Sequence, residues 1–191
     1  MDRIYFLIFT PDKKFRFTPN WIMLITSTLL IAYSWLIQGV PTESILITCR
    51  DLFLIAALLV GLYFTVGAFW LYEPLEGLLE GRIEFEKDKI RVNEKIYELK
   101  DIINLNFRFN NFYGERLVRL GKSFNGLLSQ GVNNYVEFKD QNAEVYGFYF
   151  RLDAKNEYLS LAPFINEAIK LNKLSLAKGV ELLGIENINS D

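Results

Sequence analysis

The chain of 191 residues contains no histidine. That absence removes the commonest general base, the commonest zinc ligand and any Ser–His or Cys–His dyad. There is one cysteine, Cys49, so no disulfide can form within the chain. Nor is there an excess of positive charge. The 21 Lys and Arg stand against 23 Asp and Glu, which argues against a nucleic-acid partner held by general electrostatics. The glycines at 114, 121, 126 and 131 do not fit the G-x-x-x-x-G-K-[ST] pattern of a phosphate loop. Asp140 and Asp153 have no partner at metal-ligand spacing. No catalytic set, metal site or cofactor is expected from these residues.

Charge is also missing locally. Trp21–Val40 and Leu52–Tyr72 contain no Asp, Glu, Lys or Arg. At 1.5 Å of rise per residue, about 20 apolar residues in a helix match the roughly 30 Å hydrocarbon core of a bilayer. The two runs predict a transmembrane helical hairpin over 21–72, with Cys49 in the polar turn between them. Buried helices of a soluble protein are the competing reading. Trp21, Trp35, Trp70 and Tyr72 lie near the run ends, where interfacial aromatics collect. Ala57, Gly61 and Thr65 recur every fourth residue, a small-residue stripe for helix packing against the first helix or a second copy. Lys13, Lys14 and Arg16 precede the first run; Arg82, Lys87, Lys89 and Arg91 follow the second; the turn has Arg50. The positive-inside rule then places both termini in the cytoplasm. The first run is too long for the apolar core of a signal peptide, so the N-terminus is expected to be retained.

Outside these runs the pattern is that of strands. Ile4–Phe9 is aromatic and branched, Thr10-Pro11-Asp12-Lys13 is a turn signal, and Phe15–Thr18 alternates. Residues 1–20 are expected to form a β-hairpin that joins the later sheet; an amphipathic interfacial segment is the alternative. From Gly81 the period is two: Ile83 and Phe85, Ile90 and Val92, then Leu105, Phe107 and Phe109 alternate with polar residues. Val132–Lys139 and Glu144–Leu152 continue this antiparallel meander. Alternating Glu84, Glu86 and Asp88 read as a solvated strand face rather than a catalytic cluster. Leu161, Ile165, Ala168 and Ile169 share one helix face, with Pro163 in its first turn. Ser175 can cap a last short helix that stops at Gly184. The expected fold class is membrane α+β, with a two-helix hairpin and an antiparallel β-domain over 73–191 closed by a C-terminal helix.

One stretch invites a ligand. Asn111–Asn134 carries four glycines together with Arg116, Arg119 and Lys122. Glycine lets backbone amides approach a ligand, and clustered cations recognise phosphate, here an anionic lipid or a cyclic nucleotide. Residue 119 differs in parity from 116 and 122, which favours a loop or bulge over a flat strand. The plainer reading is a long hairpin with a basic edge that discourages edge pairing. Asn133 and Asn134 are expected to make local side-chain-to-backbone bonds that open a strand.

Arg82-Ile83-Glu84-Phe85, Tyr97 to Ile102, Phe112-Tyr113-Gly114, Ser129 to Asn134 and the Pro163-Phe164 helix resemble small bacterial proteins. Those proteins join a two-helix anchor to a cytoplasmic β-domain similar to the bacterial pleckstrin-homology-like class. The resemblance implies a β-barrel completed by strands that precede the anchor, in the bacterial inner membrane. The absent catalytic constellation and the aromatic-rich strands point to a non-enzymatic interaction or regulatory module that docks a protein partner or another copy. In organisation the chain is similar, too, to two-transmembrane, strand-rich effectors of cyclic-oligonucleotide antiphage signalling, which implies a phosphate-bearing ligand.

Overall fold

A computed structural model describes residues 4–118 and 124–184. The fold is α+β and divides into two compact units. One comprises Met1–Lys13, Leu75–Glu115 and Ser129–Asp191; the other comprises Lys14–Pro74 and Arg116–Leu128.

The first unit is built on a seven-stranded sheet. Its strands are β1 (Ile4–Pro11), β2 (Gly77–Glu86), β3 (Lys89–Val92), β4 (Lys95–Glu98), β5 (Asn104–Arg108), β8 (Asn134–Lys139) and β9 (Val145–Phe150). They lie in the order β4-β3-β2-β1-β9-β8-β5, every neighbour antiparallel. Two short strands, β6 (Tyr113–Arg116) and β7 (Leu128–Gln130), form a separate ribbon. The period-two pattern decides what each strand buries. Ile83 and Phe85 on β2, Ile90 and Val92 on β3, and Val136 and Phe138 on β8 are all buried. Glu84 faces Arg91 at 3.5 Å and Glu86 faces Lys89 at 3.1 Å, so the charged positions form an ion-pair ladder on the outer face. Phe85, Phe107, Phe138, Phe150 and Phe164 fill the centre. Each such burial is worth roughly 1.5–3 kcal/mol.

The sheet does not close into the expected barrel. β4 and β5 are its two edges, and no ladder joins them. Side chains of β4 reach across to the far strands: the Tyr97 ring lies 4.8 Å from that of Phe138 on β8 and 5.0 Å from that of Tyr146 on β9. Helix α3 (Ala162–Lys170) covers the core with Phe164, Ile165 and Ala168, and the Phe164 ring lies 5.2 Å from Phe85. Helix α4 (Leu176–Leu183) is capped by the Ser175 hydroxyl, which accepts from the Lys178 N–H, and ends at Gly184 with φ +62°.

The N-terminus gives one strand where a hairpin was expected. β1 lies in the middle of the sheet, pairing Ile4 with Phe85 of β2 and Ile8 with Phe150 of β9. Phe15 to Thr18 is not strand. The alternation there serves aromatic stacking: the Phe15 ring sits 5.1 Å from Phe17 and 5.3 Å from Trp21.

The second unit holds α1 (Pro19–Leu36) and α2 (Ile45–Gly67). Thr18 caps α1 through the Trp21 N–H, and Ser44 caps α2 through the Leu46 N–H. α2 therefore starts well before Leu52 and runs through Cys49, Arg50 and Asp51, where the charge pattern predicts a turn. The charges are tolerated in the helix because Arg50 and Asp51 pair at 2.7 Å. Cys49 is an exposed helical residue. Among the described residues α2 is the one helix long and apolar enough to cross a membrane. α1 has 18 residues and begins with Pro19-Asn20. The helices touch where Gly61 meets Met23: a Cβ on Gly61 would lie 3.1 Å from the Met23 methyl. The Tyr33 hydroxyl donates to the Leu46 carbonyl at 3.1 Å.

Candidate functional site

The loop singled out in the sequence belongs to the helical unit, and it is tied to the ends of both helices. At the start of α1, the Asn20 side-chain oxygen accepts from the Phe124 N–H at 2.8 Å. At the end of α2, the carbonyls of Ala68 and Leu71 accept from the N–H groups of Leu127 (2.8 Å) and Leu128 (3.1 Å). The Glu73 N–H donates in turn to the Leu128 carbonyl at 2.8 Å, and Tyr72 and Leu128 form a parallel bridge. The last carbonyls of α2 itself accept from the N–H groups of Ala68 to Leu71, so the loop satisfies the next carbonyls along, those of the C-cap Ala68 and of Leu71 in the turn beyond it. Gly126 makes this approach possible. A Cβ there would lie 2.1 Å from the Leu71 carbonyl oxygen, which no side chain tolerates.

Of the three cations expected to converge on an anion, the structure places Arg116, whose guanidinium carbon lies 5.2 Å from the centre of the Phe69 ring. That is cation–π distance. Arg119 and Lys122 lie outside the described residues. In the helix-packing stripe, Ala57 and Gly61 are half-buried, with Gly61 against α1. Thr65 is exposed and spends its hydroxyl on the Gly61 carbonyl at 2.8 Å.

The segments that flank the loop are fixed in the sheet unit by four asparagines. Asn134 is fully buried. Its side-chain oxygen accepts from the N–H of Asn110 at 2.9 Å and of Asn111 at 3.3 Å. Its amide nitrogen donates to the carbonyls of Asn111 (2.9 Å), Gly131 (2.8 Å) and Phe150 (3.4 Å). Asn110 donates to the Asn133 carbonyl at 2.8 Å, and Asn111 accepts from the Asn133 N–H at 3.1 Å. Only the bond to Gly131 is local. The others pin Asn110-Asn111 and Phe150 to the start of β8, a longer reach than the local bonds expected of these residues. A buried amide must spend its donors and acceptors, and here it spends them across chain segments. Gly131, at φ +69°, passes its carbonyl to the Leu152 N–H at 2.9 Å. The Leu152 carbonyl then accepts from Tyr113 at 2.8 Å. The Arg151 guanidinium carbon lies 4.0 Å above the Tyr113 ring.

The hydrogen bond from Tyr146 to Glu144, then burial, pushes that phenol up to about 12. Burial, then the charges of Asp140 and Glu144, raises Tyr97. Among the described residues no cluster of acidic or thiol groups could hold a metal ion. No known family, curated protein or solved structure matches the chain.

Proposed function

We propose that this chain is a membrane-anchored, non-enzymatic interaction module. In this reading both helices span the bacterial inner membrane, and both termini and the sheet unit lie in the cytoplasm. The observation that carries it is the exposure of α2, in which Gly67 is the one buried residue of 23. An apolar helix of that length, bare on its outer face, needs a lipid solvent. α1 completes the hairpin through Met23 and Tyr33. Exposed Phe15, Phe17 and Trp21 at its start, with Phe69 and Trp70 after α2, supply interfacial aromatics. The sheet unit is read as pleckstrin-homology-like. Its support is a seven-stranded antiparallel order with the N-terminal strand in the middle and α3 laid over the core. The partner is a protein or a second copy. Photo-crosslinkers on exposed Ile96, Val145 and Tyr149, used in intact cells, are expected to give one discrete covalent product. A chain that extracts from membranes at alkaline pH, or that yields no such product from any position, overturns the reading.

A second reading is favoured by the loop's attachment. A ligand that pulled on Arg116–Leu128 would pull on both helix ends at once. The chain would then be a membrane effector of cyclic-oligonucleotide signalling, with Arg116, Arg119 and Lys122 binding phosphate. Replacing the three by Gln should abolish binding to cyclic nucleotides or anionic liposomes and leave the fold intact. Binding that survives overturns it.

A further inference from the structure

The sheet unit has a cavity of about 410 Å³ at its β5 edge, where the turn between α3 and α4 folds back on the strand. The Leu105 N–H donates to the Lys173 carbonyl at 3.2 Å, which holds that turn against the edge. Three lysines line the cavity, Lys139 at the end of β8 and Lys173 and Lys178 around the turn, and Asn104 and Asn106 of β5 line it too. Lys173 donates to the Lys100 carbonyl at 2.9 Å, an uncharged acceptor that positions the ammonium and leaves its charge intact. Lys139 has no ion pair among the described residues. Lys178 shares its charge with Glu181 at 2.9 Å. The one carboxylate in the lining, Glu137, accepts from the Tyr135 hydroxyl at 3.1 Å. The cavity thus holds two ammonium groups free of ion pairs among the described residues and two amide side chains, against the single carboxylate of Glu137, in a volume that suits a small molecule.

We propose that this cavity binds a small ligand bearing a phosphate monoester, with Lys139 and Lys173 on the phosphate and Asn104 and Asn106 on the polar body. Lysine serves phosphate as a mobile point charge, and a dianion would neutralise both ammonium groups. The site is separate from the Arg116–Leu128 loop, so the triple Gln change there leaves it intact.

The test uses the full chain in detergent, titrated with inorganic phosphate, adenosine 5′-monophosphate and short-chain phosphatidic acid in a calorimeter. Binding of the first two assigns a soluble ligand; binding of phosphatidic acid alone assigns a lipid headgroup. In either case Lys139→Gln should weaken binding by about tenfold or more, and Lys139→Arg should retain it. Lys178→Gln, away from the Lys100 contact, should weaken it less. Because Lys139 has no ion pair to lose, its variants should melt with the parent. A parent chain that binds none of the three probes, or a Lys139→Gln chain that binds them unchanged, overturns the assignment.

Discussion

The ring of Phe6, on the first strand, lies 5.2 Å from that of Phe150, on the last strand of the sheet. Both apolar helices fall between them in the sequence. The helices are therefore an insertion into the sheet unit, made directly after its central strand.

Removing β1 should accordingly split the sheet. It would leave β4-β3-β2 and β9-β8-β5 with no ladder between them, and would uncover the partners of Phe6 and Ile8. At roughly 1.5–3 kcal/mol for each buried side chain, this approaches the whole stability of a small domain. The fragment Leu75–Asp191 should show no cooperative thermal transition by circular dichroism. A peptide spanning Ile4–Lys13 should restore one. A fragment that melts cooperatively and ignores the peptide would sink the idea.

Asn134 concentrates more hydrogen bonding than any other side chain described. Asn134→Ala removes the side-chain partner of the Asn110 and Asn111 N–H groups and one donor from each of three carbonyls, of which Gly131 keeps the Leu152 N–H, at a cost of about 2–4 kcal/mol. Asn134→Asp keeps the shape but loses the donor and buries a charge, so it should be no milder. Urea titration followed by intrinsic fluorescence measures both. A loss below about 0.5 kcal/mol, the size of an ordinary surface substitution, would mean that the network is incidental.

Period and charge made much of this fold legible. Alternation at Ile83–Phe85 and Ile90–Val92 marked buried faces, and the spacing of Leu161, Ile165 and Ala168 marked the covering helix. What misled was local chemistry with a distant resolution. Arg50-Asp51 looked like a turn because their mutual ion pair is invisible in hydropathy. Phe15-Arg16-Phe17 looked like a strand because alternation cannot separate sheet pairing from aromatic stacking on Trp21. The lysines of the β5 cavity carry no local sequence signal. Lys139 is far in sequence from Lys173 and Lys178, and only the fold of the α3–α4 turn brings them to one wall.

Gly126 tests whether the loop's attachment to the helix ends is required. With a Cβ at 2.1 Å from the Leu71 carbonyl oxygen, even Gly126→Ala must move backbone. The bonds from Leu127 and Leu128 should open, and their amides should exchange with solvent at least tenfold faster, which corresponds to about 1.4 kcal/mol. Melting of the sheet unit should be unaffected. Unchanged exchange would show that the loop finds another seat.

The proposed topology rests on the basic residues at the helix ends. A reporter active only in the cytoplasm should work after Asp191 and fail between Pro41 and Ser44. Activity at the inner position would reverse the orientation or deny the span.

Alkaline pH should weaken the sheet unit through its tyrosines. The hydrogen bond to Glu144 raises Tyr146 to about 12, against an ordinary value of 10.0. Burial, then Asp140 and Glu144, raises Tyr97 as well. Between pH 10 and 12 the unfolded chain has released a phenolic proton that the folded chain still holds. Unfolding then releases protons, so the slope of stability against pH is negative. The contribution is complete below pH 10 and is lost as pH climbs through the raised value. The thermal midpoint should therefore fall over that window. Tyr146→Phe keeps a ring against Phe138 and Tyr97 and removes one titrating group, so its midpoint should fall less steeply. Parallel curves for parent and variant would show that Tyr146 does not contribute to the alkaline loss.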